Sequence, residues 1–312
     1  MTASAPRVRA VRLGPRAVAA LCLVSAVGVV AFGWPLLAGP GSGLAHSQDA
    51  PWLFAALLPL LLAVVVATIS DTPSAGAAGT RGLDAKAIAM LGVLAAAGAA
   101  LRPLGAGTAG IEPMFFLMVL SGRVLGPGFG FVLGSVAMFA SALLTGGVGP
   151  WMPFQMLSMG WVSMGAGLLP GALEAPAGHG GAPARTTFRA GAGSRARGLR
   201  GRRELVLLAG YGAVASVGYG VVMNLQGWPY IGGLASGVSF VPGDPLSANL
   251  TRFLAYCLAT SLGWDLPRAV VTVVLTLTLG GAVLKALRRA TRRAAFEAPV
   301  TFADEAGRPG GS

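Results

Sequence analysis

From Ala17 to Ala38 the chain carries no charged side chain, and the same holds for residues 51–69, 87–101, 129–144, 205–223 and 269–284. Runs of this kind approach or reach the roughly 18–20 apolar residues that a helix needs to cross a bilayer core. In hydrocarbon every backbone N–H and C=O must find a partner inside the protein, so only helices and closed barrels span it. The alternating segments of about ten residues that mark barrel strands are missing here. The reading is an all-α integral membrane protein. Only 11% of the residues are charged, against about 25% in soluble domains, too few to coat a water-facing surface.

The net charge of +12 would suggest nucleic acid in a soluble protein. Here the basic residues cluster at the ends of the apolar runs, as the positive-inside rule expects of segments that stay in the cytoplasm. Eight spans with a cytoplasmic N-terminus satisfy that rule: about 17–38, 51–69, 83–101, 111–120, 129–144, 151–169, 204–223 and 266–287. Residues 1–70 form an N-terminal arm with a helix pair, read as uncleaved because its first apolar run is long for a signal peptide. Residues 71–82 make a linker, 83–290 a six-helix core and 291–312 a basic cytoplasmic tail. The loop 171–203 carries seven arginines and one acid, Glu174. The segment Asn249 to Leu262 is short, and a ninth span there would turn the basic tail outward. It is expected as a re-entrant or outer-face helix covered by protein.

Several chemistries are excluded. The chain has two lysines, Lys86 and Lys285, and no G-x-x-x-x-G-K-[ST], so it is no ATPase. Cys22 and Cys257 sit in apolar surroundings, and His46 and His179 in loops far apart, which leaves no disulfide framework or metal motif. Neither an H-E-x-x-H pattern nor a Ser/His pair at matched depth occurs. An enzyme is not expected, nor a metal, nor a cofactor. The stretch GPGFGFVLG (126–134) imitates a phosphate loop, yet after Gly128 and Gly130 a dinucleotide fingerprint needs glycine where Leu133 stands, and a preceding strand. It reads as the inner turn of a membrane hairpin, Pro127 opening the next helix and Gly130 and Gly134 letting it pack closely.

With that orientation the polar and aromatic residues gather on the outer face. Such a collection suits a pocket where rings stack on a ligand and polar groups orient it. The candidate binding residues are Arg102, Glu112, Phe115, Trp151, Phe154, Gln155, Asn224, Trp228, Tyr230, Trp264 and Asp265. Glu112 stands out, because a carboxylate at a span end is costly without a partner. Gln226, Asp244, Asn249, Arg252, Tyr256 and Arg268 map to the same side. For the tryptophans an interfacial aromatic belt is the plainer explanation. Along the third span Ala85-x-x-x-Ala89, Gly92-x-x-x-Ala96, Ala95-x-x-x-Ala99 and Ala96-x-x-x-Ala100 form small-residue ridges that let helix backbones approach in lipid.

AKAIAMLGVLAAAGAALRP (85–103), IEPMFFLMVLSGRVLGPGFGFVLGSVAMFASAL (111–143), GVGPWMPFQM (147–156) and GWDLPRAVVTVVLTLTLGGAVLKAL (263–287) together resemble the substrate-binding S components of energy-coupling factor (ECF) vitamin transporters. The resemblance covers roughly two-thirds of the chain, from Asp84 to Arg289. It implies a bacterial plasma-membrane protein with a six-helix core that captures a micronutrient from outside. It also implies a transmembrane T subunit and two cytoplasmic ATPases that spend the ATP, with cobalamin as first guess for the ligand and other vitamins open. The family's Ala-x-x-x-Ala ridge faces the T subunit, which points here to Ala85 and Ala89, with Ala95 and Ala99 as the rival register. The family's outer loop over the site corresponds to 103–110. The N-terminal helix pair and the loop 171–203 depart from the family pattern. The alternative is a self-sufficient secondary transporter or channel, which would hold ionisable groups near the midplane on broken helices.

Overall fold

The computed structural model describes residues 15–37, 61–66, 85–105, 108, 110–170, 201–231 and 235–294. Every regular element among them is helical: α1 (Pro15–Leu37), α2 (Ala85–Leu101), α3 (Met114–Leu125), α4 (Pro127–Thr145), α5 (Met152–Leu168), α6 (Arg202–Gly227), α7 (Leu246–Tyr256), α8 (Leu262–Thr278) and α9 (Gly280–Ala294). Five helical stretches are long and apolar enough to cross a membrane: 15–37, 86–105, 127–145, 202–230 and 246–278. The chain therefore has the build of a multi-pass membrane protein. The second helix of the expected N-terminal pair is described only at 61–66, where Leu61, Val64 and Val65 lie buried in the main core. The expected linker and most of the loop 171–203 lie outside the described residues, as do the last residues of the tail.

Packing centres on α3, α4 and α5, where glycine and serine replace bulk at the crossings. A Cβ on Gly122 or Gly130 would run into the Ser163 carbonyl, and one on Gly134 into that of Met159. Backbones this close cannot admit a side chain, which is the reason small residues recur at helix interfaces in lipid. The Ser163 hydroxyl donates to the Met118 carbonyl at 2.9 Å and that of Ser135 to the Met156 carbonyl at 3.2 Å, tying α5 to α3 and α4. The α3–α4 hairpin turns at Gly126, whose φ of 93° favours glycine, and Pro127 starts α4 at its first turn. That is the hairpin the stretch GPGFGFVLG implies. The hairpin's first arm is longer than the sequence suggests: α3 runs through Arg123 to Leu125 and buries Arg123.

Helix α1 lies on α5, with Phe32 edge-on to Phe154 at 5.0 Å and Trp161 Nε1 donating to the Ser25 hydroxyl at 3.0 Å. The helix outside the six-helix pattern is thus packed into the bundle.

Two expectations about the C-terminal part are corrected. Residues 249–262, expected as a re-entrant or outer-face helix counted apart from the last span, are continuous with it. They continue through a π-helical turn, Cys257–Ser261, into α8, so that 246–278 is one helix of 33 residues. At about 1.5 Å per residue it is roughly 50 Å long, well beyond a core of about 30 Å, and α7 extends it beyond the length a span needs. The last span also ends earlier than 287. It breaks at Leu279, and Gly280–Ala294 forms a separate amphipathic helix. Leu284, Leu287 and Thr291 of α9 are buried, whereas Lys285, Arg289 and Arg292 are exposed.

Helix directions bring Arg123, Glu204 and Arg288 together at one end. Arg123 Nε meets Glu204 Oε1 at 2.9 Å, Arg288 Nη2 meets the same oxygen at 2.7 Å, and Arg123 Nη1 donates to the Leu169 and Pro170 carbonyls. The end of α3, the end of α5, the start of α6 and the middle of α9 therefore meet there. α1 and α2 also start at that end and run away from it.

Candidate functional site

The opposite end of the bundle holds a second ionic cluster, centred on α8. Its buried face is Asp265, Arg268, Ala269, Thr272 and Thr276, while Leu266, Val270, Val274 and Leu277 face outward. Polar groups inside and apolar groups outside are what a helix needs when its surroundings are lipid. The Arg268 guanidinium donates from Nε to Glu112 Oε2 at 2.7 Å and from Nη1 to Asp265 Oδ1 at 2.7 Å and to the Ser216 carbonyl at 3.3 Å. Its carbon lies 5.2 Å from the Phe115 ring centroid and 5.3 Å from that of Tyr219, and the two rings meet edge-on. A guanidinium over two π faces gains cation–π attraction as well as its ion pairs. One arginine thus joins α8, α6 and the segment entering α3. Ser261, in the π-helical turn, donates its hydroxyl to Asp265. Such turns often mark functional positions in helices.

The approach to α3 is held tightly. Gly110 has φ 84°, and a Cβ there would strike the Trp264 carbonyl, so the chain lies directly on α8 before Glu112 reaches Arg268. Thr108 donates from both its backbone N–H and its hydroxyl to the Gly105 carbonyl. Arg102 ends α2 on the same side. A Cβ on Gly98, one turn earlier, would meet the Met114 and Met118 side chains of α3, and residues four apart share a helix face. The Arg102 carbonyl accepts from the Gly105 N–H at 3.1 Å, and a Cβ on Gly105 would run into the Ile111 carbonyl next to Glu112.

The residues expected to bind a ligand divide into groups. Glu112, Phe115 and Asp265 belong to the Arg268 cluster, with Arg102 beside it. Gln155, half-buried near the start of α5, has an Oε1 atom shielded from solvent and without a hydrogen-bond partner. Phe154 is buried against α1. Trp228 and Tyr230 belong to a separate aromatic cluster beyond the end of α6. There Trp228 is 5.3 Å from both Phe240 and Phe253, and its Nε1 donates to the Val238 carbonyl at 2.7 Å. Trp34 of α1 reaches Tyr230 and Phe240, each at 6.1 Å. Asn224 donates to the Cys257 sulfur at 3.4 Å beneath this cluster. Trp151 and Trp264 are exposed at the bundle surface, as interfacial tryptophans are.

Sequence reasoning placed Arg268 on the right side but not among the binding residues, and it passed over Tyr219 and Ser216. The usable signal was Asp265-x-x-Arg268 followed by Thr272 and Thr276, a polar line at helical spacing in an apolar span. On α2 the two small-residue registers are separated by burial. Ala95 and Ala99 are buried, whereas Ala89, Gly92, Ala96 and Ala100 are exposed; the side chain of Ala85 lies outside the described residues.

Comparison with protein-family models, with curated proteins and with solved structures gives no match to this chain.

Proposed function

We propose that this protein is the membrane-embedded substrate-capture subunit of an importer of the ECF type, binding a vitamin-like micronutrient at the end of the bundle where Arg102, Glu112, Tyr219 and Arg268 meet. The observation that carries the reading is the segregation of ionic groups. The basic cluster of Arg123, Glu204, Arg288 and α9 occupies one end of an otherwise apolar bundle. The aromatic-lined cluster around Arg268 occupies the other. Under the positive-inside rule the first is cytoplasmic, with both termini, and the second faces the outside of a bacterial cell. A ligand arriving from outside meets edge-on aromatic rings, a carboxylate and two guanidiniums there. The exposed small-residue face of α2, Ala89 with Gly92, Ala96 and Ala100, is where a transmembrane T subunit would approach, two cytoplasmic ATPases supplying the energy. The ligand class is a micronutrient, with corrinoids among the compounds to test.

The test is binding and assembly. Purified protein in lipid nanodiscs is titrated with a vitamin panel by calorimetry, and affinity-tagged protein is isolated from its native membrane. A chain that binds none of the panel and brings down neither a T subunit nor an ATPase is not a capture subunit. One observation favours a secondary transporter instead: Asp265 and Arg268 are ionisable, buried and next to a π-helical turn inside a spanning helix, a placement known from such transporters. Proton- or sodium-driven uptake by this chain alone in liposomes would decide for it.

A further inference from the structure

Two guanidiniums and two carboxylates stand at this end of the bundle, Arg102 at the start of the turn that packs on the backbone next to Glu112, and their pairing is unequal. Both carboxylates are engaged by Arg268, Glu112 through Nε and Asp265 through Nη1, each at 2.7 Å. Arg102 receives neither. Its Nη1 is shielded from solvent and has no hydrogen-bond acceptor. A buried donor left unmade costs about 1–3 kcal/mol, and more when it is charged. A cation left in this state calls for an anion that the described residues do not provide.

Resting on the substrate-capture reading above, we infer that the ligand carries an anionic group, a carboxylate or phosphate, that binds the Arg102 guanidinium. The planar guanidinium fork matches the two oxygens of such a group and can hold them with parallel N–H···O bonds. A cationic ligand finds no free carboxylate here, because both are already committed to Arg268. Another buried atom without a partner toward this end of the bundle, Gln155 Oε1, is an acceptor. It is suited to an N–H or O–H group elsewhere on the same ligand. The ligand class is therefore an anion with a separate hydrogen-bond donor, selected by charge at Arg102.

The experiment uses the full chain in nanodiscs of zwitterionic lipid and matched ligand pairs: pantothenate with panthenol, nicotinate with nicotinamide, and biotin with its amide. Thiamine serves as the cation, and riboflavin and cobalamin complete the panel. Calorimetry is expected to find the binder among the anions, with its neutral counterpart bound at least tenfold more weakly. Arg102→Gln should abolish that preference, and Arg102→Lys should keep part of it. Thermal melting of each variant reports whether it is folded, and the comparison within pairs on the unmodified protein stands without any variant. A neutral or cationic compound that binds as tightly as any anion overturns the inference and leaves the capture reading in place. So does an anion whose affinity is unchanged in folded Arg102→Gln. Binding of no compound in the panel overturns the inference, and if neither a T subunit nor an ATPase is recovered it removes the capture reading as well.

Discussion

Arg268→Met is the substitution that most directly tests how the candidate site is held together. Methionine keeps much of the length and apolar stem but removes the charge, leaving Asp265, 4% exposed, as an unpaired buried carboxylate. With N···O at 2.7 Å the two charge centres lie about 4 Å apart, worth roughly 4 kcal/mol at an effective dielectric near 20. This agrees with the loss of about 3–5 kcal/mol found when one partner of a buried pair is removed. Glu112, whose side chain is 26% exposed, is better solvated, so Glu112→Gln should cost less, about 1 kcal/mol. Asp265→Asn should fall between them, because the guanidinium retains Glu112 and the two rings. Unfolding in detergent micelles, followed by helical circular dichroism during titration with denaturing detergent, gives the three values. The double variant Asp265→Asn/Arg268→Met should recover much of the loss, since the only charge it leaves unpaired is that of Glu112, which water reaches. Arg268→Met no more destabilising than Glu112→Gln, with additive effects in the double variant, would refute the claim that this pair is buried and coupled.

Three other outcomes follow from the packing. Glu204→Gln leaves Arg123 and Arg288 facing each other without their shared carboxylate; about 3–5 kcal/mol should be lost, and trypsin should cut faster at Arg288 and Arg289 as α9 loosens. Gly134→Val should prevent correct folding, because its side chain would enter the Met159 backbone, whereas Gly92→Ala, with nothing within 4 Å, should melt like the unmodified protein. Under the proposed function, Gly92→Leu with Ala96→Leu should leave ligand binding and melting unchanged but abolish co-purification of the T subunit. Equal recovery of that subunit would move the docking surface elsewhere.

The all-helical build, the positions of several spans, the hairpin turn at Gly126 and the crowding of basic residues at helix ends were legible in the sequence. Each follows from a local cost that a short window records. Hydrocarbon penalises a charge wherever it stands in a run, Pro127 cannot continue a preceding helix, and a backbone at φ 93° favours glycine. That is why 15–37, 127–145 and 202–230 lie close to where hydropathy placed them. The tertiary structure decided what depends on the rotation of one helix against another. It put Ala95 and Ala99 inside the bundle and left Ala89 and Ala96 outside, a difference that a stretch so rich in alanine does not encode locally. It joined 249–262 to α8 through a π-helical turn, where length alone had suggested a separate segment. It also gave both carboxylates to Arg268 and none to Arg102, a pairing between residues as far apart in the chain as Glu112 and Arg268. Burial sets the energy of a charge in such a bundle, but which partner meets it is settled only when the helices pack.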